Sequence, residues 1–180
     1  MNLLKGTRCY LAGGMENIDG MGWRETAKGR LKGMGVIVFD PYYKPFLSSA
    51  SEDNNARDIM AKQREEGGWK NWDAISDRMK RVRRDDLRLC DIVDFAIIQV
   101  DPKVASWGTA EELFTLNAMK KPIYIWVEGG IKRCPFWLFG TVKVEVIHDT
   151  LSSVIDDLQF IDLGFVEPND RWKILREEYR

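Results

Sequence analysis

Histidine is almost missing from this sequence: His148 is the single one in 180 residues. One imidazole gives no basis for a metal cluster or a conventional catalytic triad. Cysteine is scarce as well. Cys9, Cys90 and Cys134 are odd in number, far apart and without CxxC spacing, which points to reduced thiols in a cytoplasm and away from disulfides or a zinc site. No charge of one sign dominates: 27 basic residues meet 28 acidic ones, for a net charge of −1. Nothing global therefore favours nucleic acid or an acidic membrane surface. No apolar run approaches the roughly 18 residues of a membrane span, and the start, MNLLKGTRCYL, does not read as a signal peptide. No metal, cofactor or internal repeat is expected. Whatever chemistry this chain performs must run mainly on carboxylates.

What remains is the composition of an ordinary globular protein, with 44% hydrophobic and 31% charged residues. A length of 180 residues fits one domain, 1–180, with a sizeable core. Short apolar runs alternate with helical patterns. RCYLA (8–12), VIVFD (36–40), DFAIIQV (94–100), PIYIWV (122–127) and VKVEVI (142–147) read as strands. Between the first two, Trp23, Ala27, Leu31 and Met34 recur as on one helix face over 21–34. Further helices are expected over 109–120 and 149–160. Near-continuous apolar strands separated by helices predict a mainly parallel sheet covered on both faces. The fold class is α/β, a three-layer Rossmann-like or flavodoxin-like domain with a five-stranded sheet.

The stretch between the second and third strands exceeds a simple crossover, so about 41–80 reads as an insertion. Its polar tract SSASEDNNARD (48–58) predicts an exposed loop, and a helix is expected from about Trp72 to Leu89. That helix carries Arg78, Lys80, Arg81, Arg83 and Arg84, a run that suits a solvated face, with a phosphate or a partner surface as the alternative. The tail from about 165, with Trp172 and Tyr179, reads as a short helix lying on a neighbour.

In a parallel α/β sheet, ligands sit at the carboxyl ends of the strands, where strand order reverses. Three stretches fall there: YLAGGMEN (10–17), Asp101 to Glu112, and Asp86 on the helix before the third strand. Gly13-Gly14 lets backbone N–H groups approach a ligand. The pattern is not GxGxxG and no acidic ribose reader follows, so a dinucleotide is not favoured. SWGTAEEL (106–113) places a hydroxyl, a glycine and two carboxylates at a helix start. Glu111 and Glu112 point about 100° apart on a helix, so only one of them faces a given site.

YLAGGM, DLRLCDIVDFAII (86–98) and SWGTAEEL together resemble the nucleoside 2-deoxyribosyltransferase family, which includes the 2'-deoxynucleoside 5'-monophosphate N-glycosidases. Asp86 and Asp94 match its aspartate pair, and Ser106, Gly108, Glu112 and Leu113 match its polar-x-Gly-x-x-x-Glu-Leu pattern over a resemblance spanning roughly 8–127. The resemblance implies cleavage or transfer at the N-glycosidic bond of a nucleoside or nucleotide. Glu112 would be the nucleophile that forms a glycosyl-enzyme ester, Asp86 the group that meets the leaving base, and Tyr10 the residue that orients the nucleophile. Gly13, Gly14, Asn17, Ser106 and Gly108 would bind substrate; no cofactor or metal is implied. Trp23, Trp69 and Trp72 are candidates for stacking on a base.

Ser106 departs from the transferases, which usually place an aspartate there for the sugar 5'-hydroxyl. A serine donates to a phosphate that an aspartate would repel, so a nucleoside 5'-monophosphate is favoured; the alternative role for Ser106 is a helix cap. The resemblance also implies a homodimer or larger assembly, with a residue near 132–141 completing the neighbour's site. Thr141 is the candidate there. Two rival readings remain: a nucleotide phosphoribohydrolase of the cytokinin-activating type, whose GGxGTxxE motif resembles WGTAEE, and a nucleotide-binding sensor without turnover. Purine against pyrimidine, ribose against deoxyribose, and hydrolysis against transfer stay open at this level.

Overall fold

The computed structural model describes residues 2–14, 22–42 and 54–176. Five strands form one sheet: β1 (Arg8–Ala12), β2 (Ile37–Phe39), β3 (Phe95–Val100), β4 (Ile123–Val127) and β5 (Ile147–His148). All pairings are parallel and the order is β2-β1-β3-β4-β5. This is the flavodoxin-type order, in which the chain leaves β1 first to one side and then to the other. The expected Rossmann/flavodoxin-like class holds.

Two-residue alternation splits the central strands between two cores. Cys9 and Leu11 of β1, with Phe95 and Ile97 of β3, face the helices α1 (Gly22–Gly33) and α6 (Leu151–Asp162), the latter preceded by the one-turn α5 (Phe136–Phe139). Tyr10 and Ala12, with Ala96 and Ile98, face α3 (Trp69–Ile92) and α4 (Trp107–Ala118). The periodic Trp23, Ala27, Leu31 and Met34 are all buried in the first core. Thr150 caps α6 by accepting the Ser153 N–H at 3.2 Å.

Gly67 and Gly68, both with positive φ, separate α2 (Asn54–Glu66) from α3. The tract expected as a loop is therefore helical from residue 54, because Ala56 is buried and the helix formers after it outweigh the polar start. Residues 48–53 lie outside the described residues. The expected fifth strand shrinks to Ile147–His148, opposite Ile125 and Trp126. A parallel β5 requires the chain to return from the carboxyl edge, and Val144–Val146 is spent on that return as a 3-10 turn. The tail does not wait for a neighbour. Trp172 is wholly buried, its ring 5.0 Å from Phe95, and its Nε1 donates to the Tyr124 hydroxyl at 3.1 Å. Tyr179 lies outside the described residues.

Candidate active site

On α4 the buried positions are Thr109, Glu112, Leu113 and Leu116, the i, i+3, i+4, i+7 stripe of a core-facing helix. Glu112 thus occupies a slot that patterning reserves for an apolar side chain. A carboxylate there needs a partner. Tyr10 supplies one from the next layer: its phenol donates to Glu112 Oε1 at 2.6 Å, with both residues buried. On α3, Val82, Asp86 and Cys90 follow at spacings of four and are buried too, which brings Asp86 to the same place. The effect is electrostatically visible. Burial pushes the Tyr10 phenol well above its usual value, and the charges of Glu112 and Asp86 add to the push. The Cys90 thiol is raised to about 12, chiefly by burial and then by the same two carboxylates.

Above this pair lies a cavity of about 580 Å³ lined by Gly13, Asp86, Ser106, Gly108, Thr109 and Glu112, among others. It opens at the carboxyl ends of β1 and β3, the point where strand order reverses. Ser106 occupies the N-cap position of α4 yet makes no side-chain cap bond; its hydroxyl lies 2.7 Å from that of Thr109. Nothing lies within 4 Å of a Cβ added at Gly108, so its backbone faces open space. Gly13 is different. A Cβ there would come to 3.0 Å from both Gln99 and Trp23, so close packing of the strand exit demands this glycine. Gly14 lines an adjoining cavity of about 490 Å³ that also shares Ser106 and Thr109. Asn17 lies outside the described residues.

Of the tryptophans, Trp107 lines the carboxylate cavity, whereas the stacking candidates Trp23, Trp69 and Trp72 do not. Trp23 packs edge-on against Trp126 in the wall of the adjoining one, while Trp69 and Trp72 pair with each other at the α2–α3 corner. The Thr141 hydroxyl donates back to Trp137 O at 2.8 Å. Glu111 also lines the carboxylate cavity, against the expectation that only one of the two glutamates would face it: its side chain reaches the wall formed by α3 and takes a two-pronged bond from the Arg83 guanidinium, with Nε to Oε2 at 2.7 Å. Among the described residues no cluster of three or more His, Cys, Asp or Glu side chains is placed to hold a metal ion. No described helix is long and apolar enough to cross a membrane.

Arg24, Arg57 and Ser76 escaped the sequence reading, and Lys80 and Arg83 entered it only as part of the basic run on the third helix. Arg24 is buried; its guanidinium donates to Gly13 O at 2.8 Å and lies 3.4 Å from Asp40, so it fixes the turn leaving β1. A basic residue in the first turn of α1 runs against the helix dipole and was the available signal. Ser76, Lys80 and Arg83 line the cavity from α3, and Arg57 from α2. Their spacing relative to Asp86 places Ser76, Lys80 and Arg83 on one stripe with it, which the sequence does carry.

No protein-family model matches the chain, and no curated protein matches it. Solved structures do. The chain is similar to the 2-deoxyribosyltransferase of Bacillus psychrosaccharolyticus at 17% identity and a TM-score of 0.56, over 91% of this chain and 99% of that one. A CMP N-glycosidase of Clostridium botulinum aligns over 86% of this chain and 99% of that one, at 16% identity and a TM-score of 0.48. The chain has the fold of the Bacillus 2-deoxyribosyltransferase.

Proposed function

We propose that this protein belongs among the nucleoside 2-deoxyribosyltransferase-like enzymes and breaks the N-glycosidic bond of a nucleoside 5'-monophosphate. The observation that carries the reading is the buried Glu112, held by Tyr10 in a cavity it shares with Asp86. Its environment suits a carboxylate nucleophile. Tyr10 holds Glu112 Oε1 and so fixes the carboxylate at the wall of the cavity that would receive the anomeric carbon. As the C1'–N bond lengthens, positive charge grows on the sugar ring and Glu112 stabilises it. The Glu112 oxygen then bonds to C1' while the bonding pair leaves with the base. Asp86 passes the departing base its proton. Water, or a second base, attacks C1' of the resulting ester, returns its proton to the Asp86 carboxylate, and frees Glu112.

The 5'-phosphate is assigned to Ser106, with Thr109 beside it and the N-terminal N–H groups of α4 near Gly108. We read the chain as one domain of this type, with α2 and the first half of α3 as an elaboration. The three cysteines are free and buried, which suits a reducing cytoplasm. A homo-oligomer is part of the reading: Trp107, Phe136 and Trp137 are 85%, 94% and 78% exposed around the adjoining cavity, a surface that a second copy would cover.

The test is chromatographic. The protein is incubated with ribo- and deoxy-nucleosides and their 5'-monophosphates, with and without a free acceptor base, beside Glu112→Gln. Free base from a monophosphate, lost in the variant, is expected. Exchange of bases between unphosphorylated nucleosides would move the assignment to a transferase and overturn the role of Ser106. Binding without any product would leave a nucleotide sensor.

A further inference from the structure

The start of α4 stands between two cavities. Gly108, Glu111 and Glu112 line the carboxylate cavity, whereas Ala110, Leu113 and Phe114 line the adjoining one of about 490 Å³. Ala105, Ser106, Trp107 and Thr109 wall both. A phosphate at Ser106 therefore has a cavity on either side, and the two differ in chemistry. Arg57, Lys80 and Arg83 bring cations to the carboxylate cavity, but the charged residues lining the adjoining one, Asp101 and Glu128, are both acidic. Its walls carry the rings of Trp23, Phe114, Trp126 and Trp137. Three polar groups in that lining lack a partner among the described residues. The indole Nε1 atoms of Trp23 and Trp126 are buried without a hydrogen bond, and Trp23 itself is only 8% exposed. The half-buried Gln99 side-chain amide makes no hydrogen bond either. Buried donors in folded proteins are nearly always paired, so these point to an occupant.

That occupant must be flat to lie on the rings, free of negative charge beside two carboxylates, and equipped with acceptors for the N–H donors. A nucleobase meets all three demands. On the reading that Ser106 takes the 5'-phosphate, we propose that the adjoining cavity binds a second base carried through that phosphate, so that the nucleotide cleaved at C1' is one half of a dinucleotide. Each cavity is of a size that takes one compact ligand. No glycine-rich pyrophosphate loop is required, because the two bases, not the linkage, are what the cavities hold. Only the C1'–N bond breaks: Glu112, Asp86 and water act as already described, and the products are the free base and the dinucleotide lacking it. A phosphodiester and a 5',5'-diphosphate both present this chemistry, and the experiment separates them.

Equilibrium binding is measured to Glu112→Gln, which keeps the ligands intact, and base release is measured with the wild type. The probes are AMP and CMP, ADP and CDP, and the 3',5'-linked and 5',5'-diphosphate-linked dinucleotides of adenine and of cytosine, in ribo and deoxy forms. For at least one linkage the dinucleotide should bind about tenfold or more tightly than the monophosphate, the gain expected from stacking one base on aromatic side chains. Gln99→Leu and Trp126→Phe should each lower that ratio. ADP and CDP should gain nothing, since their added phosphate meets Asp101 and Glu128 instead of a cation. A ratio near one for both linkages overturns the proposal, and in a dimeric wild type it gives the cavity to the second copy. A gain that ADP and CDP share, a gain that both variants leave unchanged, or base release confined to monophosphates overturns it as well. Tight dinucleotide binding without any base release sinks the glycosidase reading and leaves the second-base site standing. Base release from monophosphates with no dinucleotide gain does the reverse. Failure of every nucleotide to bind overturns both.

Discussion

Tyr10 and Glu112 lie 102 positions apart in the sequence and 2.6 Å apart in space, phenol oxygen to carboxylate oxygen. The bond joins the second core, beneath β1, to the inner stripe of α4. It gives a buried carboxylate a fixed partner at the wall of a cavity. Tyr10→Phe removes the partner while keeping the ring. The expected result is a fall in kcat of about tenfold to a hundredfold with a smaller change in KM. Stability should drop by about 1–3 kcal/mol, the worth of a hydrogen bond to a charged group. Because burial and the neighbouring carboxylates hold the phenol far above its usual value, wild-type activity should show no loss assignable to Tyr10 near pH 10. Steady-state kinetics from pH 6 to 10 check both statements.

Alternation and helical spacing made much of this arrangement legible. RCYLA carries its own division into two faces, and the repeat of apolar positions in α4 marks Glu112 as a charged residue in a core slot. Of Arg24, only its unfavourable place at a helix start was legible; its burial and its bond to a glycine carbonyl were not, because both arise through tertiary packing. The start of α2 was hidden by its polar residues, since Ala56 finds its burial only through tertiary packing. The tail failed for the same reason: Trp172 is defined by Phe95 and Tyr124, both distant in the chain.

Ser106→Asp tests the phosphate assignment by charge. An aspartate about 4 Å from a phosphate costs about 4 kcal/mol for each unit of like charge at the effective dielectric of a protein surface. Turnover of a 5'-monophosphate should fall by a factor of 100 or more. The unphosphorylated nucleoside should gain relative to it, since the new carboxylate accepts its 5'-hydroxyl. An unchanged ratio of kcat/KM between nucleotide and nucleoside would remove the phosphate from this corner.

Lys121 closes α3. Its ammonium donates to the carbonyls of Cys90, Asp91 and Val93 at 2.6, 2.6 and 2.7 Å, meeting the negative end of the helix that carries Asp86. Lys121→Met frees three carbonyls and should lower stability by about 1–3 kcal/mol, read from urea unfolding. KM for substrate is expected to rise, because the end of α3 nearest Asp86 loses its anchor.

The thiols predict an alkaline limit. Cys90 is raised from the usual 9.0 to about 12, so the native chain keeps a proton that the unfolded chain releases. Unfolding therefore gains favour as pH climbs from 9 towards 12, whereas the contribution is fully present below 9. Thermal midpoints should fall over that interval, and Cys90→Ala should flatten the fall. At pH 8 a thiol reagent should find no reactive cysteine in the native protein and all three after denaturation, since each is buried and raised.

The exposed aromatic mouth makes the last prediction. Trp107 and Trp137 line the adjoining cavity, which shares Ser106 and Thr109 with the carboxylate cavity, so whatever covers one borders the other. If that cover is a second copy, sedimentation at micromolar concentration should give a dimer or larger species. Trp137→Glu places a charge in the middle of the apolar contact and should return a monomer. Glu112, Tyr10 and Asp86 would be untouched in that monomer, so an accompanying loss of activity would mean that the partner completes the site. A monomeric wild type with full activity would place every reacting group within one chain.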